Sequence, residues 1–206
     1  MGLRNYLIEG VSGTGKTSVC EELRRRGHHA INGDRELAYQ GDPETGEPLD
    51  GIGHEHHIWR VDDVRALVAD HDEPVTFFCG GSRNFHKFVD LFDGVFVLEV
   101  DLHTLNRRLD GRSEDEWGAR PAERELVARL HRTREDTPRN GTVIDATAPL
   151  AGVVDEILRQ VMQSPTRWST RVLSPNVRSG WWEARPGGGA AAASGPARRP
   201  PGTRPG

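Results

Sequence analysis

The stretch Gly10–Thr17, GVSGTGKT, constrains the fold more than any other part of the 206-residue chain. Its three glycines let the backbone curl until several N–H groups point at one anion. The residues before it, including YLIE, predict a short strand over 3–9. The residues after it predict a helix from Thr17 to Arg26, with Val19 and Leu23 on one face and Gly27 as its stop. A strand that feeds a glycine loop, which then opens a helix, is the setting of a phosphate cradle. The positive end of the helix dipole falls on the same anion.

The rest of the body alternates between two periodicities. HHAIN (28–32), PVTFFCGG, GVFVLEV and TVID predict four further strands, the middle two apolar enough to be buried on both faces. Helices are predicted around Val61, Val64, Leu67 and Val68, around Leu102, Leu105 and Leu109, and over Pro121–Glu135 with Leu126 and Leu130 inward. A last one spans Pro149–Gln163 with Val153, Ile157 and Val161, and NFHKFVDLF predicts a short helix. Strands alternating with helices give an α/β fold, a parallel sheet with helices on both faces. Ligands in such sheets gather at the carboxyl ends of the strands. Two stretches are loop-like: residues 40–57 and the polar run Asp110–Pro121, DGRSEDEWGARP. A loop as long as the first, inside a compact domain, is more often functional than idle.

The chain changes character at Ser164. Residues 164–206 are mostly Pro, Gly, Ala, Ser and Arg, a composition that predicts a disordered tail behind a single domain over 1–163. The tail carries seven arginines and one glutamate, so its +6 within a whole-chain −4 leaves residues 1–163 at −10. An acidic body speaks against nucleic acid as its partner. The tail, with Trp168, Trp181 and Trp182, offers RNA or an acidic protein a contact if it is more than a solvated extension. Cys20 and Cys79 are too few for a disulfide framework and fit a reducing compartment. With no leader pattern before the first strand and no apolar run of membrane-spanning length, the expected location is the cytoplasm.

Gly10-x-x-x-x-Gly15-Lys16-Thr17 satisfies the P-loop pattern in full. Gly10, Val11, Ser12, Gly13, Thr14, Gly15, Lys16, Thr17 and Ser18 are therefore expected to bind a nucleoside triphosphate. Lys16 would reach the β- and γ-phosphates, and Thr17 would hold Mg²⁺. The motif alone leaves base preference open, as it does the choice between transfer and hydrolysis.

Four features together resemble the P-loop small-molecule kinases, the adenylate, shikimate and gluconate kinases among them. They are the P-loop, Asp34 after the second strand, Gly80-Gly81 after the third, and an arginine-bearing loop before the last helices. FFCGGSRN and RLDGRSEDEWGARPAER resemble more closely a set of small kinase-like ATP-binding proteins of undefined substrate. The resemblance covers about residues 3–162 and implies a P-loop NTPase fold with a five-stranded parallel sheet in the order 2-3-1-4-5. It implies an ATP-dependent phosphotransferase whose acceptor is a small metabolite such as a nucleoside, nucleotide or sugar acid. By it, Asp34 touches the acceptor hydroxyl or joins the metal shell; otherwise Asp34 caps a short helix. Gly80 and Gly81 approach the acceptor, and Arg83 either clamps it or lies in solvent while Ser82 or Asn84 opens the next helix.

Arg108, Arg112 and Arg120 border the loop that matches the family's lid. Arg112 and Arg120 would close on the transferring phosphoryl, Arg108 on the nucleotide, unless Glu114, Asp115, Glu116 and Glu123 merely pair with them. Trp117-Gly118 reads as an anchor and a hinge of that lid, and Asp145-Ala146-Thr147 lies where such kinases touch the base. The pattern departs from many P-loop enzymes at Cys79, where a strand-end Asp would assist Mg²⁺. GHEHHIW places His54, His56 and His57 together, but adjacent histidines point apart and make a poor zinc site. The same loop, with Trp59 and Arg60, is a candidate wall of the acceptor pocket. Two other functions fit the motifs: a nucleotide-dependent switch or ATPase that acts on a partner, and an RNA-associated role of the tail.

Overall fold

The computed structural model describes residues 4–113 and 116–163. Glu114 and Asp115 of the polar loop, and the whole tail with its three tryptophans, lie outside the described residues.

Strand β1 (Arg4–Glu9) occupies the middle of a five-stranded parallel sheet. The other strands are β2 (His29–Asn32), β5 (Val75–Cys79), β6 (Gly94–Glu99) and β7 (Thr142–Asp145), in the order β2-β5-β1-β6-β7. Counting the sheet strands alone, this is 2-3-1-4-5. The numbering is displaced by a two-stranded antiparallel hairpin, β3 (Ala38–Gln40) and β4 (His57–Trp59), which the sequence pattern did not separate from its loop. Strands of three residues are too short to show a period.

Side chains alternate across the sheet, and the two faces bury different partners. Tyr6 and Ile8 of β1 and Phe77 and Cys79 of β5 join α1 (Lys16–Arg25), α4 (Leu102–Asp110), α5 (Pro121–Thr133) and α6 (Leu150–Gln163) in one core. Leu7 and Phe78 point the other way, into a core with Trp59, Phe88, Phe92 and Val64 of α3 (Val61–Ala69). Helix α5 buries Val127 and Leu130, one residue out of phase with the expected Leu126. The short helix expected over NFHKFVDLF is instead two 3₁₀ turns, Phe85–Lys87 and Val89–Leu91. Burying Phe88 and Phe92 over Trp59 and Phe78 takes precedence there over helical continuity.

Trp59 fastens the hairpin to the sheet. It is fully buried, stacks on Phe88 at 5.5 Å, and its backbone N–H faces Ser82 Oγ at 3.0 Å and Asn84 Oδ1 at 3.1 Å. Asn84 Nδ2 donates back to the Trp59 carbonyl at 3.0 Å. Ser82 and Asn84 thus latch the hairpin and provide no side-chain cap to the following turn. Among the described residues no helix is long and apolar enough to cross a membrane. Cys20 and Cys79 are both buried and free.

Candidate active site

The phosphate loop is shaped by close backbone approach. A Cβ on Gly10, at φ +151°, would lie 2.6 Å from the Leu98 carbonyl oxygen and 2.7 Å from Thr14 Oγ1. Gly15 is the N-cap of α1 at φ +106°, a conformation that side-chain-bearing residues adopt at a cost. Thr14, buried, donates its hydroxyl to the Val11 carbonyl at 2.8 Å and holds the curl. Lys16 arches back over the loop, Nζ donating to the Gly10 carbonyl at 2.5 Å. Thr17 and Ser18 are exposed on the first turn of α1, where its free N–H groups and dipole face outward.

A cleft of about 800 Å³ runs along this loop, lined by Ser12 to Val19, by Asp34, Arg108 and Arg112, and by the apolar Ala146, Ala148, Leu150 and Val153. Arg108 spans it, donating to Thr14 O at 2.9 Å and to Ala146 O at 2.8 Å, so it ties the loop to the segment after β7. Arg112 donates to Ser12 Oγ at 3.0 Å and to the Trp117 carbonyl. Arg120 goes elsewhere: it is exposed at the N-cap of α5, outside the residues that line the cleft. Pro121 at the first helical position fixes the chain direction there. The Thr17 hydroxyl and the Asp34 carboxylate both border the cleft, and two hard oxygen donors of this kind fit Mg²⁺.

Asp34 lies within the short helix α2 (Gly33–Glu36), whose N-cap is Asn32, so its carboxylate is not a cap. Oδ1 accepts from the Gly81 N–H at 2.9 Å and stands 3.3 Å from His57 Nε2. Gly80 makes this possible, since a Cβ there would sit 2.6 Å from Asp34 Oδ1 and from the Trp59 ring. Burial opposes ionisation of Asp34. The His57 contact, the Lys16 charge and the Gly81 N–H outweigh it and hold the carboxyl below its ordinary range.

Beyond Lys16 lies a second, smaller pocket of about 270 Å³. Gly81, Arg83, His54, His57 and Gln40 line it, together with Asp136, which sequence reasoning did not single out. Of the candidate wall residues, Trp59 and Arg60 are not there. Trp59 is core, and Arg60 lies over the Tyr39 ring at 5.2 Å. The three histidines part company. His54 stacks on Trp117 at 5.0 Å with Nε2 3.6 Å from Asp136 Oδ2, His57 meets Asp34, and His56 lies 4.0 Å from Glu55. Arg83 points inward, Nη1 3.4 Å from Asp136 Oδ2 and Nη2 donating to the Asp136 carbonyl at 3.0 Å.

Cys79 faces the core shared with Cys20, so an acid at its position would be driven into apolar packing. The strand-end acid is on β1 instead. Glu9 is 1 % exposed, and its Oε1 accepts from the Ser82 N–H at 3.2 Å. Burial, only partly offset by Lys16 and Arg83, raises its pKa from 4.5 to about 8. The one visible signal was a charge closing an otherwise apolar strand in YLIEG. Asp136, between a helix and a turn in EDTPRN, carried no local signal.

The sequence of residues 7–142 matches the family described as AAA domain. Among solved structures, the fold is similar to an unliganded sugar kinase from Janibacter sp. HTCC2649, at 20% identity over 79% of this chain and 96% of that chain, TM-score 0.50. It is also similar to a shikimate kinase from Acinetobacter baumannii in complex with shikimate, at 16% identity over 78% of this chain and 93% of that chain, TM-score 0.54. No curated protein matches the sequence.

Proposed function

The chain belongs to the AAA domain family, and from that premise we propose that it transfers the γ-phosphoryl group of ATP to a hydroxyl of a small molecule. One observation carries this reading. The large cleft and the small pocket share Ser12, Lys16, Asp34 and Trp117, so the phosphate-loop lysine and one carboxylate stand where two ligands would meet. A hydrolase or switch needs only the first cavity.

In this reading the triphosphate lies on Gly10–Ser18, with the base toward Ala146, Ala148, Leu150 and Val153. Lys16 leaves the Gly10 carbonyl to neutralise the β- and γ-phosphates. Mg²⁺, bound by Thr17 and Asp34, would supply further neutralisation of the phosphate oxygens. Asp34, kept ionised by its neighbours, orients the acceptor hydroxyl and takes its proton as the new O–P bond forms and ADP leaves. Arg112, on the loop after α4, adds positive charge beside Ser12.

The test is a transfer screen with labelled ATP over nucleosides, nucleotides, sugars, sugar acids and polyols, with Lys16→Ala beside the wild type. The expected result is a labelled acceptor and a loss of about 10²–10³-fold in K16A. Transfer that survives K16A, or tight ATP binding with no acceptor labelled, overturns the proposal.

A further inference from the structure

Trp117 lines both the cleft and the small pocket, and its ring and its carbonyl have different partners there. The ring stacks on His54 at 5.0 Å with an interplanar angle of 18°, and it packs against the main core. The carbonyl accepts from Arg112 Nη1, whose other partner is Ser12 Oγ at 3.0 Å. Nη1 carries two hydrogens, and these contacts use both. The Trp117 carbonyl thereby holds Arg112 against the phosphate loop. Exposed Glu116, with Oε2 3.9 Å from Arg112 Nε, is the competing partner.

The backbone alone does not fix that carbonyl. Gly118 follows at φ +93°; its N–H donates to Glu123 Oε2 at 2.7 Å, and a Cβ there would collide with the Arg112 guanidinium. Glycine allows this close approach but adds no stiffness. The ring supplies it, through His54. His54 is itself set from two sides. The Gly53 N–H before it donates at 2.9 Å to Oε1 of Gln40, on the hairpin that Trp59 fastens to the sheet. Its Nε2 stands 3.6 Å from Oδ2 of Asp136, a residue 4 % exposed. Burial opposes ionisation of Asp136, but His54, Arg83 and Lys16 outweigh it and hold the carboxyl below its ordinary range.

We propose that His54 is a positioning residue: through the stacked Trp117 ring it keeps Arg112 where the γ-phosphate of a bound triphosphate sits. His54 also lines the small pocket, so it joins the wall of that pocket to the nucleotide side. The inference rests on the placement of the γ-phosphoryl beside Ser12 and Lys16 in the phosphotransferase reading. It does not depend on which acceptor is used.

The experiment reads the γ-phosphate directly, as the ratio of affinities for the β,γ-imido analogue of ATP and for ADP. Both are titrated with Mg²⁺ into the full chain in a calorimeter. Arg112→Ala is expected to lower this ratio by about tenfold, the loss of one charge-assisted guanidinium–phosphate contact. His54→Ala is expected to lower it by at least about threefold, because Arg112 is displaced and not removed. His54→Phe keeps a stacking ring and is expected to stay within about twofold of wild type. The double variant H54A/R112A is expected to fall no further than R112A, since the two residues act as one unit. His54→Gln, which keeps a polar group but no ring, takes the place of H54A if that chain does not fold. A ratio unchanged in R112A or in H54A overturns the inference, as does a double variant in which the two losses multiply. A loss in H54F equal to that in H54A overturns it too, because the stack is then not the cause. Ratios that fall as expected while the acceptor screen labels nothing leave the inference standing and overturn the phosphotransferase reading.

Discussion

The two sides of the site are built by different means. The nucleotide side is one contiguous stretch, Gly10–Ser18, in which backbone geometry provides the cradle and a single side chain, Lys16, bridges it. The small pocket, proposed for the acceptor, collects Asp34, His54, His57, Arg83 and Asp136 from separate segments and relies on their side chains. A backbone cradle suits a ligand found everywhere, since its shape depends on few residue identities. A side-chain pocket is easily altered at each position, which is where specificity can differ between proteins of one fold.

That contrast breaks most visibly at Asp34, where the two sides join. Asp34→Asn is expected to lower kcat by about 10²–10⁴-fold, the range for a lost general base, with affinity for ATP measured without Mg²⁺ nearly unchanged. Titration calorimetry beside the transfer assay checks this; a parallel loss of ATP binding would place Asp34 on the nucleotide side alone. The acceptor side should also be tied to global stability through its latch. Trp59→Ala is expected to cost about 3–5 kcal/mol in denaturant unfolding, because it empties the space beneath Gly33, Gly80 and Phe88. A loss under about 1 kcal/mol would mean the hairpin is not locked to the core.

A smaller effect concerns Glu9, which lies between the two sides. Its folded pKa of about 8 stands above the ordinary 4.5, so the folded chain holds a proton that the unfolded chain releases. Stability from this group is full below the lower value and falls as pH rises toward the upper one, with a slope of up to about 1.4 kcal/mol per pH unit. Glu9→Gln keeps an acceptor for the Ser82 N–H and should remove that slope. Urea unfolding at several pH values between 5 and 8 measures it, and parallel curves for wild type and E9Q would refute the assignment.

Much of the fold was legible because its signals are local. The strand–loop–helix start and the alternation of buried strands with amphipathic helices are written in short windows of sequence, and the observed order of the five sheet strands follows the small-kinase pattern. The short hairpin was not legible, since three residues show no period. NFHKFVDLF misled for a related reason: its apolar spacing suits a helix, but its phenylalanines are positioned by Trp59 and Phe78, which are distant in sequence. Arg112 and Arg120 looked equivalent, and only the path of the loop turned one onto Ser12 and the other to the surface.

By itself the sequence determined the cradle for phosphate, because the glycines, lysine and threonine that make it are consecutive and their conformations are local. Tertiary structure alone decided the pocket beside it. Glu9, Asp34 and Asp136 gain their protonation, and Arg83 its orientation and pairing, from burial and from neighbours across as many as 127 positions. Such long-range electrostatics leaves no pattern along the chain.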